Sequence, residues 1–201
     1  MRKIIGTSHI SKDSVVAIRK EFESFDPDVV AVELDKDRLR SLKAYESGVT
    51  VRNPFALLIS FLQNYLSKKT GISPGTEMLT AVELAEEKGV DVALIDQHIT
   101  KTLESIKKVS KVEKFKVLAH SLMGVFGVNS VDFDVTKVPG EEFIKKILFR
   151  FKIIFPGIYK ALIDDRNYEM AHKIVELEQR YEKVLVVVGA GHKPGIEEIL
   201  E

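Results

Sequence analysis

Cysteine is absent from this sequence, which excludes disulfides and thiol-based metal or redox chemistry and fits a reducing compartment. Net charge is absent too, because 30 basic and 30 acidic residues cancel. No long-range field then favours an anionic partner, and nucleic acid is not expected to bind. No apolar run approaches the ~20 residues that a membrane-spanning helix needs. The first residues enter a strand pattern with no signal-peptide core. The expected location is cytoplasmic, or the cytoplasmic side of a membrane if the natural chain continues.

What is present is a 201-residue chain, 45% hydrophobic, which suits one domain over residues 1–201 with a real core. Residues 2–6 and 28–33 read as buried strands, separated by a helix over 12–25 that Ser11 can cap and Pro27 ends. Asp35 can cap a second helix over 36–47. This βαβα start predicts an α/β fold with a largely parallel sheet. An apolar helix over 53–68, a Gly-rich loop at 71–75, a helix over 77–88 ending at Gly89 and a strand over 91–95 follow. Residues 100–182 show no strand pattern and read as helices over 100–108, 111–125, 140–153 and 157–182, with Pro139, Gly140, Pro156 and Gly157 between them. A last strand over 183–188 leads to a short helix with Pro194 in its first turn. The sheet core is therefore expected from both chain ends, around a mainly helical insertion at about 100–182.

Two segments share a pattern: Ile4-Ile5-Gly6-Thr7-Ser8-His9 and Val187-Val188-Gly189-Ala190-Gly191-His192. Each is a strand, then Gly-x-x-His, then a helix. Glycine permits a sharp turn with positive φ and close approach to a ligand, and histidine supplies a metal ligand or proton carrier near neutral pH. The expected strand ends carry His9, Glu33, Asp96 and His192. Ligands of open α/β sheets bind at that edge, and two histidines with a carboxylate suit Zn, Mn, Fe or Co. Plainer roles stand beside these. Glu33 could pair with Arg38 or Arg40, and Asp96 could cap a helix.

Other patterns are weaker. Gly189-x-Gly191 is no dinucleotide fingerprint, since Pro194 falls at the third glycine and the chain ends too soon for a ribose-binding acid. Arg166 could clamp a carboxylate or an anionic intermediate. Glu169-x-x-His172 is half of a di-iron motif with no second copy. His98 and His120 have no evident partners. The basic, apolar run from Lys145 to Phe155 suits helical core with snorkelling lysines better than a membrane surface or subunit contact. An apolar insertion face leaves room for a homodimer.

In order along the chain come Gly6-Thr7-Ser8-His9, Val32-Glu33-Leu34-Asp35 with Arg38, Pro74-Gly75-x-Glu77-Met78, Arg166-Asn167 with Met170-Ala171, and Val188-Gly189-Ala190-Gly191-His192 with Gly195-Ile196. Together these resemble the TraB/PrgY family, related to the GumN and Tiki proteins, from about residue 4 to 198. The resemblance implies a fold similar to the erythromycin-esterase-like and ChaN-like group, with two related halves. It implies metal-dependent peptide cleavage, with Mn or Co favoured and Zn next. His9, Glu33 and His192 would be the metal or catalytic residues, and Glu77 and Arg166 further catalytic positions. Gly6, Gly189 and Asp96 would be other motif positions. Gln97 stands where the family pattern would have Arg. Many relatives continue into C-terminal membrane helices, so membrane proximity follows if this chain is part of a longer one. Two functions are expected on this basis. One is a metal-dependent, peptidase-like hydrolase. The other is a non-catalytic peptide-binding or regulatory module, of the pheromone-shutdown kind, using the same pocket.

Overall fold

A computed structural model describes residues 1–7, 12–46, 75–122 and 141–201. The expected helix over 53–68, most of the loop at 71–75, the Ser11 cap, Pro139, Gly140 and His9 lie outside those residues. The described chain runs β1 (Arg2–Thr7), α1 (Lys12–Phe25), β2 (Val29–Val32), α2 (Lys36–Glu46), α3 (Thr76–Lys88), β3 (Asp91–Leu94), α4 (Ile99–Lys108), α5 (Lys111–Leu122) and α6 (Glu141–Ile154). It continues through α7 (Pro156–Tyr159), a π turn (Lys160–Asp164), α8 (Asp165–Glu178), β4 (Val184–Gly189) and α9 (Lys193–Leu200). The strands form one parallel sheet in the order β1-β4-β2-β3. The first and last strands pair directly, so both chain ends do build the core.

Continuous apolar runs mark strands covered on both faces, and the central pair shows it. Every residue of β2 and β4 is buried, while most of β1 and β3 is half-buried. Alternation along β4 divides two cores. Leu185 and Val187 face Ile18 and Phe22 of α1 and Met78, Ala81, Val82 and Ala85 of α3. Val184, Val186 and Val188 face Met170 and Ile174 of α8 and Ile196 of α9. The helices that follow β2 thus cover one face and the helix that follows β4 covers the other. That divergence opens a crevice at the carboxyl ends of β2 and β4, where ligands of such sheets sit.

Two local expectations change. The helix expected over 157–182 is interrupted by the π turn directly before α8, a geometry frequent at functional sites. The run from Lys145 to Phe155 is not buried helical core along its length. Phe151 packs edge-on to Phe155 and Tyr159, but Ile147, Phe149 and Ile153 face outward, beside Lys146 and Arg150. Among the described residues no helix is long and apolar enough to cross a membrane.

Candidate functional site

Backbone ladders carry past the strand ends and fix where the carboxylates emerge. Glu33 N–H donates to Val187 O at 3.0 Å and Asp96 N–H to Leu34 O at 3.3 Å. Both side chains are then held at the carboxyl edge, 3% exposed. Across β4, Ala190 N–H bonds Thr7 O and His192 N–H bonds Gly189 O, each at 2.8 Å. This compact turn delivers the His192 ring into the same crevice, buried to 5% exposure.

Arg166, one residue into α8, joins them. Its Nε–H and Nη2–H donate to the two oxygens of Asp96 at 3.0 and 2.8 Å, and Nη2 also donates to Glu33 Oε1. Nη1 donates to His192 Nε2 at 2.9 Å and to Leu162 O, in the π turn, at 3.3 Å. A guanidinium has five N–H groups, and these contacts engage all of them. Burial opposes its charge, yet the carboxylates of Glu33 and Asp96 outweigh that and raise its pKa above the ordinary arginine value. Arg38 adds a second cation at 2.9 Å from Asp96 Oδ2, so two guanidiniums balance two carboxylates. Arg38 is set there by α2, whose cap Asp35 accepts from Asp37 N–H and Arg38 N–H at 2.8 and 3.0 Å.

The protonation of His192 follows from its partners. Arginine only donates, so Nε2 must accept, and the proton sits on Nδ1, which donates to Asn167 Oδ1 at 2.7 Å. Glu33 Oε1 lies 3.4 Å from Nε2. That pair would be an ion pair only with the ring protonated, and the shorter Arg166 contact decides for the neutral ring. Glu33 Oε2 is held from behind by Gly189 N–H at 2.6 Å. Glu33 Oε1 and His192 Nε2 therefore converge on one point, each oriented by a second hydrogen bond, and the Arg166 guanidinium bridges them.

The structure thus brings together Glu33, Asp96, Arg166, His192 and the backbone of Gly189. Glu77 is also buried, in the first turn of α3, a helix packed on β2. His9 lies outside the described residues. Gly6 and Gly189 do not adopt the positive φ expected of them, since among the described residues only Gly75 and Gly89 are glycines of that kind. Close approach is the constraint at Gly6, where a Cβ would stand 3.3 Å from Ala190 Cα. The plainer pairing expected for Glu33 is replaced: Arg166 takes Glu33, Arg38 takes Asp96, and Arg40 lies by Asp37. Asp96 does not cap α4. His98 does, accepting from Thr100 N–H, and it also bonds Asp37 at 2.9 Å, so it has partners after all. Glu169 pairs with Lys101 and Lys173, and His172 points outward beside Glu176. Asn167 stood in the Arg166-Asn167 motif but was given no role in the site.

For a metal, the donor chemistry is half assembled. Glu33 Oε1 and His192 Nε2 fit as two oriented ligands, with the arginine cation standing where they meet. Among the described residues no group of three or more His, Asp or Glu side chains is arranged to hold an ion. A surface hollow of about 420 Å³ beside Met1 and residues 178–183 lies at the amino ends of β1 and β4, the opposite edge of the sheet, and takes no part.

A profile of the TraB/PrgY/gumN family matches residues 3–201. The chain belongs to this family. It is 34% identical to the uncharacterized protein MJ1365 of Methanocaldococcus jannaschii, over 98% of this chain and 53% of that protein. It is 25% identical to the human TraB domain-containing protein, over 96% of this chain and 61% of that one. The bovine TraB domain-containing protein is 24% identical over the same shares, 96% and 61%. This TraB-family chain therefore spans only about half to three-fifths of the length of these relatives.

Proposed function

We propose that this domain is a metal-dependent hydrolase acting on peptides, working in the crevice at the carboxyl ends of β2 and β4. The observation that supports the reading best is the convergence of Glu33 Oε1 and His192 Nε2, each fixed by a second hydrogen bond. Such backing partners are what metal ligands and general bases require. His192, Glu33 and His9 hold a divalent transition metal, Mn or Co before Zn. When bound, the metal lowers the pKa of water and polarises a carbonyl. Gly189 N–H keeps Oε2 of Glu33 in place, leaving Oε1 as ligand or proton acceptor. Arg166 supplies the charge that meets a substrate carboxylate or developing oxyanion. That role requires one of its five internal bonds to give way. Glu77 is carried as a further catalytic position on its motif alone.

A second reading has its own observation. A guanidinium with every donor engaged, and a network with balanced charge, describes a closed structural clasp. It suits a module that binds peptide or regulates a partner without turnover.

The test measures metal by mass spectrometry on untagged protein purified without chelator, for wild type and His9→Ala/His192→Ala, followed by a peptide-cleavage screen. About one transition metal per wild-type chain, lost in the variant, with cleavage that tracks it, is the expected result. Peptide binding with no metal and no cleavage after Mn, Co and Zn are supplied would replace the hydrolase with the binding module.

A further inference from the structure

We infer that Asn167, given room by Gly195, is the positioning residue that works with Arg166 to hold the His192 proton on Nδ1. The inference deepens the reading of His192 as a ligand or proton acceptor and rests on it for its functional meaning. The geometry behind it is independent of that reading.

Asn167 is 3% exposed and lies on the inner side of α8, next to Arg166. His192 Nδ1–H donates to its Oδ1 at 2.7 Å while Arg166 Nη1 donates to Nε2. The ring is gripped from both sides, and both partners demand the same form. Arg166 needs an acceptor at Nε2, so Asn167 must present its oxygen to Nδ1–H. The Asn167 amide nitrogen is then turned away from the ring, towards α9. A Cβ on Gly195 would stand 2.3 Å from that nitrogen, a separation no side chain can share. Gly195 sits inside α9, where glycine costs about 0.5–1 kcal/mol relative to alanine. Its φ is not in the positive range. Glycine is therefore required here for space and not for backbone freedom. Three residues from two helices thus keep the Nε2 lone pair on Arg166 Nη1–H, beside Glu33 Oε1. A histidine side chain in water prefers its proton on Nε2, so the site imposes the opposite tautomer.

The test is nitrogen NMR of the chain labelled with ¹⁵N-histidine, after chelator treatment, at neutral pH. The chain has five histidines, and loss of one set of signals in His192→Gln assigns the residue. Wild type is expected to show a protonated Nδ1 and a bare Nε2. Asn167→Leu and Gly195→Ala, which leave Arg166 alone to hold the ring, should both move His192 from the wild-type shifts towards those of a tautomer mixture, and Asn167→Asp, which keeps an acceptor oxygen, should retain the wild-type pattern. Manganese affinity in Asn167→Leu should fall about 10–100-fold, the usual effect of removing a ligand's backing partner. A wild-type ring protonated on Nε2, or averaged, overturns the inference with no variant needed. So does an unchanged signature in folded Asn167→Leu or Gly195→Ala. Metal binding absent from every protein, with the tautomer shifts as expected, defeats the metal reading and leaves this inference standing.

Discussion

One side of α8 carries Arg166, Asn167, Met170 and Ile174 into the crevice and the core behind it, and the other carries Glu169, His172 and Glu176 into solvent. Both sides hold residues that chemistry uses. The Arg166 side chain is 15% exposed and meets two carboxylates, an imidazole and a carbonyl, whereas that of His172 is 76% exposed and has one acidic neighbour at 3.7 Å. Water screens the outer set, and each of its long side chains loses entropy by holding a partner. The inner set is held by packing, so its geometry persists without that cost and its charges interact in a weaker screen. What separates a candidate site from surface decoration on this helix is burial and convergence. Residue type does not.

Breaking the inner side should therefore cost far more than breaking the outer. Arg166→Leu leaves Glu33 without its cation, and loss of about 3–5 kcal/mol is expected in denaturant unfolding. Ile174→Ala, fully buried behind the network, should lose about 2–5 kcal/mol through its cavity while leaving the His192 NMR signature in place. That pair separates loss of support from loss of chemistry. Gly195→Ala should cost about 1–3 kcal/mol by overpacking against Asn167. His172→Ala on the outer side should change stability by less than about 0.5 kcal/mol, and a larger effect would erase the contrast between the two sides.

Much of this architecture was readable in the chain. Uninterrupted runs such as Val184–Val188 announce strands covered on both faces, and the carboxylates and histidine just beyond them fell where the sheet edge would be. Which partner each one takes was not readable. Glu33 has Arg38 and Arg40 nearby in sequence, yet its cation comes from 133 residues away, because the pairing is set by how α8 docks beneath β4. The bond between Asn167 and His192 spans two helices for the same reason, and Gly195 explains itself only once both are packed. The π turn escaped notice because its five residues, Lys160–Asp164, keep a helical pattern. His9 is the remaining member of the expected ligand set and lies outside the described residues.

The central claim is that Glu33 and His192 form one side of a metal centre at the β2–β4 crevice. Titration of manganese, read by electron paramagnetic resonance, into wild type and Glu33→Gln tests it most directly, with circular dichroism confirming that both are folded. The account predicts about one bound ion per wild-type chain and a loss of at least tenfold in affinity in the variant. Equal binding by the two proteins, or none by wild type, would contradict it.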